Sequence, residues 1–337
     1  MVSELVSPAP PPWIAAQAKL LLAQRGHAWL LHGPSGLGQY GLAMELARAW
    51  LCEQPSHGGA CGVCGSCHAI DVRTHADLSV LMPETTLLEM GWPLGEKAQS
   101  EIDDKKRKPS KEIRVDAMRD TVEFSQRTAA RGRGKVVLVF PAEQMNTITA
   151  NALLKTLEEP PGDVKFVLAT ESAHQLLPTI RSRCLGHNMH WPDAQASQQW
   201  LISHGFDAAQ AQLLLRAMGG RPEDAAAFAA SGRDPGCWAL LPKAVKRGDT
   251  AFFKEWALSQ TIDALHKLCH DLMAVRAGAT PRFFDTGDLA SDATLPALSE
   301  WAKGLSRNMR TMDHPFNAGL MLEALVGQAK SVLNSAH

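Results

Sequence analysis

Residues 28–46 read AWLLHGPSGLGQYGLAMEL. A short apolar run, Ala28 to Leu31, gives way through a glycine-rich turn to the helical pattern of Leu42, Leu46 and Ala49. This is the setting of a phosphate-binding loop, G-x-x-x-x-G-K-[ST], and Gly33 and Gly38 stand in register with it. The last two places hold Gln39 and Tyr40. In a working loop the lysine neutralises the β- and γ-phosphates and the small hydroxyl holds Mg²⁺. An uncharged amide and a bulky phenol predict a loop that joins strand to helix and binds no ATP.

Working outward, the first half alternates short β-rich runs (AWLLHG, then residues 77–83, 135–140 and 165–170) with helical segments near 13–24, 115–127 and 146–159. Strands alternating with helices imply a parallel sheet covered on both faces, an α/β fold. Asn146 is placed to cap the last of these helices, and Pro160-Pro161 stops it. A phosphate-hydrolysing site also needs acids at the end of a later apolar strand. After KVVLV the chain has Phe140-Pro141, and its first acid, Glu143, is displaced beyond the strand. From about Asp193 onward the pattern is helical, with segments WLISHG, AAQAQLLLRAMGG, PEDAAAFAA, FFKEWALSQTIDALHKLCHDLMAV and FNAGLMLEALVGQAKSVL broken at Gly205, Gly219-Gly220 and Gly232. Residues 85–112 carry the basic run Lys105-Lys106-Arg107-Lys108 among acids and read as a solvated, disordered loop, with contact to DNA as the sharper alternative.

Four of the 7 cysteines, Cys52, Cys61, Cys64 and Cys67, follow the spacing C-x8-C-x2-C-x2-C. Four thiolates suit a closed, tetrahedral, structural Zn²⁺ with no open position for a catalytic water. Such a site contributes on the order of 10 kcal/mol to folding a short excursion that cannot build its own core. His57 and His68 nearby read as surface histidines, and Cys184, Cys237 and Cys269 as separate buried thiols. The segment TIRSRC, residues 179–184, follows the strand KFVLAT. Its two arginines either form salt bridges at a domain edge or present Arg183 outward to another subunit's nucleotide. Arg181 lies two residues earlier, on a stretch read as extended.

At 337 residues the chain is long enough for two or three domains, and its 45% hydrophobic fraction is globular. A formal net charge of −1 opposes a chain that coats nucleic acid by bulk electrostatics and favours protein partners. No apolar run approaches the roughly 20 residues of a membrane span, and MVSELVSPAPPPW has neither a basic n-region nor an apolar h-region, so the expected location is the cytoplasm.

Together, ANALLKTLEEPPGDVKFVLAT, LLPTIRSRC and the cysteine spacing resemble the clamp-loader branch of the AAA+ family. The resemblance is specific over about residues 25–190 and architectural thereafter. It implies a RecA-like AAA+ domain (1–190) carrying the zinc module (52–67), an all-α lid (191–234) and an all-α collar for oligomerisation (235–337). It also implies a component of DNA polymerase III that is not itself an ATPase. Such a subunit would help tau/gamma ATPase subunits and the delta subunit place the beta sliding clamp on primer-template DNA. Arg183, within the Ser182-Arg183-Cys184 motif, would then act as an arginine finger in trans, and Zn²⁺ would be the one cofactor. The family's lid arginine aligns with Glu223 in GGRPEDA, two places after Arg221. The rival readings are an active tau/gamma-type ATPase, which Gln39, Tyr40, Phe140 and Pro141 oppose, and a free-standing zinc-dependent DNA-binding module, which the near-neutral charge opposes.

Overall fold

A computed structural model describes residues 9–56, 58–311 and 317–335; the N-terminal residues 1–8 and His57, read above, lie outside the described residues. The chain divides into two compact units, Met1–Asp193 and Ala194–His337.

The first unit is a five-stranded, all-parallel sheet in the order β2-β3-β4-β1-β5. Its strands are β1 (Ala28–His32), β2 (Leu78–Leu81), β3 (Lys135–Val139), β4 (Val164–Thr170) and β5 (Leu185–Asn188). β3 is buried along its whole length. Even Lys135 is tolerated there, because its ammonium donates to the Phe124 carbonyl at 2.8 Å and lies 3.9 Å from the Phe124 ring centroid. Helices α1 (Pro12–Leu22), α2 (Gln39–Leu51), α3 (Gly65–Asp71), α4 (Glu84–Glu89), α5 (Glu96–Asp103), α6 (Val115–Gln126), α7 (Thr147–Glu158) and α8 (Pro178–Arg181) complete the unit. In α7, Ala150, Leu153 and Leu157 face the core at helical spacing, and the Asn146 side chain accepts the Thr149 N–H as the N-cap.

One strand escapes the sequence reading, and one expectation needs correction. β5, the run LGHN, is an edge strand in which only His187 is buried, so it carries no apolar run. Residues 85–112, expected as a disordered loop, contain most of α4 and all of α5. The Arg107 guanidinium bridges Glu84, at 2.5 and 2.8 Å, and Glu101, at 2.7 Å. Trp92 is buried, 8% exposed. Arg107 of the basic run is thereby consumed in an ion-pair network, and Lys106 pairs with Asp104.

The second unit is all-helical: α9 (Ala194–Ser203), α10 (Ala208–Ala217), α11 (Pro222–Ala230), α12 (Cys237–Arg247), α13 (Leu258–Arg276), α14 (Leu295–Thr311) and α15 (Ala318–Leu333). One buried cluster runs from Leu201 to Leu333, so all seven helices contribute to a shared interior. Phe228 of α11 meets Trp238 of α12 edge-on at 5.9 Å, and Trp238 stacks on Phe284 at 4.9 Å. α12 was hidden in the sequence by Pro242, which sits inside it. The helix expected from Phe252 starts at Leu258, because Ala251–Phe253 form a separate 3-10 turn that buries Phe253.

Candidate functional site

α2 starts in the glycine loop. The loop leaves the carboxyl end of β1, the edge where open parallel sheets place ligand sites. Both retained glycines have reasons of their own to be there. A Cβ on Gly33 would lie 2.9 Å from the Met189 Cβ, and Gly38 caps α2 with φ 92°, a left-handed conformation. Gln39 is folded back into its own loop, 3% exposed, and its amide donates to the Gly33 carbonyl at 2.9 Å and the Pro34 carbonyl at 2.6 Å. The Tyr40 ring packs on Phe140 with 5.4 Å between centroids, and its hydroxyl accepts the Trp92 indole N–H at 2.8 Å. Burial holds the phenol above its ordinary pKa. Arg73 secures the same corner, donating to the Gly91 carbonyl at 3.0 Å and lying 5.7 Å from the Trp92 ring. The residues that replace the Mg²⁺ hydroxyl and the strand-end acid therefore contact each other. Glu143, the displaced acid, uses one oxygen on the Glu171 backbone N–H at 3.0 Å.

At the other end of α2 stands Cys52, with Cys61, Cys64 and Cys67 around it, all four sulfurs within 4.8 Å of one another. The Cys52–Cys64 and Cys61–Cys67 sulfurs are 3.9 and 4.0 Å apart. Four thiolates about 2.3 Å from a central zinc would be about 3.8 Å from each other, so the set fits a tetrahedral metal with little rearrangement. Backbone N–H groups point at the sulfurs: Cys61 donates to Cys52 at 3.3 Å and Cys67 to Cys64 at 3.5 Å. Burial opposes ionisation of Cys64, yet the surrounding N–H groups bring it down to about 6, while burial pushes Cys52 and Cys67 up. Glu53 ties the module to the loop before β3, accepting from the Ser66 hydroxyl at 3.0 Å and from Arg131 at 2.8 Å. His68 is exposed, as expected.

The third candidate, Arg183, follows α8. Ser182 is helical, so Arg181 and Arg183 do not share the face of an extended strand, a correction to the sequence reading. The Arg183 Nε donates to Glu158 Oε1 at 2.6 Å, its Nη2 contacts the same oxygen, and its Nη1 donates to the Thr179 carbonyl at 2.8 Å. The Ser182 hydroxyl donates to that carbonyl as well, at 3.2 Å. Cys184 packs against the sheet core, and burial pushes its thiol up to about 12. A half-exposed pair such as Arg183–Glu158 stabilises the fold by about 0–1 kcal/mol.

The family model described as DNA polymerase III, delta subunit, matches residues 15–191. The DNA polymerase III subunit delta' of Pseudomonas aeruginosa is 34% identical over 92% of this chain and 93% of its own length. The chain belongs to the DNA polymerase III delta-prime family. A second relative, the tau subunit of Escherichia coli DNA polymerase III, is 34% identical over 61% of this chain but only 29% of its own length. Among solved structures, a DNA polymerase III gamma subunit-related protein from Thermotoga maritima has the same fold, with a TM-score of 0.50, 16% identity, and coverage of 96% of this chain and 100% of that one.

Glu223 is the position that the sequence reading aligns with the family's lid arginine. Burial, and then the neighbouring charge of Asp224, push Glu223 up to about 7, while Arg221 is turned onto Asp224 at 2.9 Å. The sequence reading missed Trp92 and Glu158. Each meets its partner only through the fold, Trp92 52 residues from Tyr40 and Glu158 25 residues from Arg183.

Proposed function

We propose that this chain is a clamp-loader subunit of DNA polymerase III that binds and hydrolyses no ATP itself. The observation that carries this reading is the glycine loop: Gln39, folded onto its own loop, and Tyr40 and Phe140, packed on each other, occupy the places where charge and metal would be needed. In this reading the first unit is the AAA+ domain, α9–α11 the lid and α12–α15 the collar. The cysteine set holds a structural zinc. Tau/gamma-type ATPase subunits and the delta subunit are its partners in the cytoplasm, and it meets the beta clamp and primed DNA through the assembly. Arg183 reaches a neighbouring ATP site, where a guanidinium stabilises charge spreading over the phosphoryl oxygens.

Reconstitution with those partners tests the reading. The chain should enter the complex in fixed stoichiometry, and an ATP titration of the isolated chain should show no saturable binding. Arg183→Ala should leave zinc content and assembly unchanged and lower the clamp- and DNA-stimulated ATPase. A finger supplied in trans is worth about 10³ to 10⁵ at its own site, diluted here because other sites in the ring do not depend on it. Saturable ATP binding by the chain would favour the tau/gamma-type reading, and an unchanged stimulated rate in Arg183→Ala would remove the finger.

A further inference from the structure

We infer that Glu158 is a positioning residue for Arg183. The inference rests on the finger reading of Arg183 above and adds the group that aims it. Glu158 is the last residue of α7, where a carboxylate sits against the negative end of the helix dipole and gains nothing from the helix itself. Its compensation comes from Arg183. One Glu158 oxygen takes both Nε and Nη2, and the Thr179 carbonyl takes Nη1 at 2.8 Å, so the guanidinium is held from two sides and its plane is fixed.

The donor count gives the arrangement its use. A guanidinium has five N–H groups. The brace engages three and leaves two, both on the terminal nitrogens. Terminal guanidinium N–H groups are the donors that phosphoryl oxygens accept. The side chain keeps 30% of its surface exposed. An unbraced arginine would have to freeze its long stem at the moment it met the phosphate; here that ordering is complete before the partner arrives. The two halves of the quoted signature, LLKTLEEPP and TIRSRC, thus meet in one device, the first supplying the brace and the second the finger.

The test uses the reconstituted complex with clamp and primed DNA. Glu158→Ala should lower the stimulated kcat by about two- to fivefold, an orienting contact's loss at one site diluted by the ring sites that do not depend on this chain, with KM for ATP, zinc content and stoichiometry unchanged. Glu158→Asp should retain part of the rate. Glu158→Gln keeps the size and a carbonyl acceptor, and so guards against a mere folding defect; it should lie between Glu158→Ala and the unmodified chain. In an Arg183→Ala background the Glu158 variants should add no further loss. A normal or faster rate in Glu158→Ala, with Arg183→Ala slow, would overturn the brace alone. So would a loss from Glu158→Ala that is equal in both backgrounds. If Arg183→Ala itself runs at the unmodified rate, the finger fails and the brace falls with it.

Discussion

Helix α2 begins in one site and ends in another, and the two ends differ in what their residues still provide. At its N-terminal end the glycine loop keeps its backbone while its chemical positions hold Gln39 and Tyr40. At its C-terminal end Cys52 joins three further thiols in a set that fits a metal. The difference lies in what each segment has to fold against. The loop is fixed by Met189 behind Gly33, by the cap at Gly38 and by the Tyr40–Phe140 contact, so it holds its shape without a ligand. The cysteine excursion has little packing of its own. Its cysteines are hydrogen-bonded to one another, Ser66 beside them bonds Glu53, and a metal held there would supply what a core otherwise would.

The comparison is most easily broken at the cysteines. Metal analysis should find about one zinc per chain, and Cys64→Ser should abolish it, expose residues 52–71 to proteolysis and lower the melting temperature strongly, since on the order of 10 kcal/mol of local folding is linked to the metal. A metal-free chain that stays equally protected would put the two ends of α2 on the same footing. A smaller effect is expected at Glu223, whose folded pKa of about 7 lies above its ordinary 4.5. The folded state then holds the proton more tightly than the unfolded one, so stability should fall as pH rises between those values and level off above them, a loss of about 3 kcal/mol. Glu223→Gln should flatten that slope and melt higher at pH 8, in thermal scans matched across pH. The smallest effect is expected from restoring the loop. Gln39→Lys with Tyr40→Thr should leave ATP hydrolysis at background, because Phe140 and Pro141 still offer no acid to position Mg²⁺ or water. Turnover above background in that variant would show that the loop alone was limiting.

Much of this was legible in the sequence because the responsible forces are local. β1, β3 and β4 announce themselves as apolar runs, Asn146 as a cap, and the four cysteines by spacing. β5 was hidden because an edge strand buries one side chain, His187, and needs no pattern. α12 was hidden by Pro242, and α4 and α5 by a polar composition whose order comes from the Arg107 bridge and from Trp92. At the site, the loss of the lysine, the hydroxyl and the acid could be read position by position. That Tyr40 rests on Phe140, that Trp92 closes over it, and that Glu158 holds Arg183 could not, since each pairing joins residues the chain sets far apart.

α2 is also a spacer. Its 13 residues, at about 1.5 Å each, set the first thiol about 20 Å from the glycine loop. Through solvent, that is more than two screening lengths at physiological salt, about 8 Å each. What couples the two ends directly is the rod that α2 forms between them, which holds the loop and the first thiol at a fixed separation.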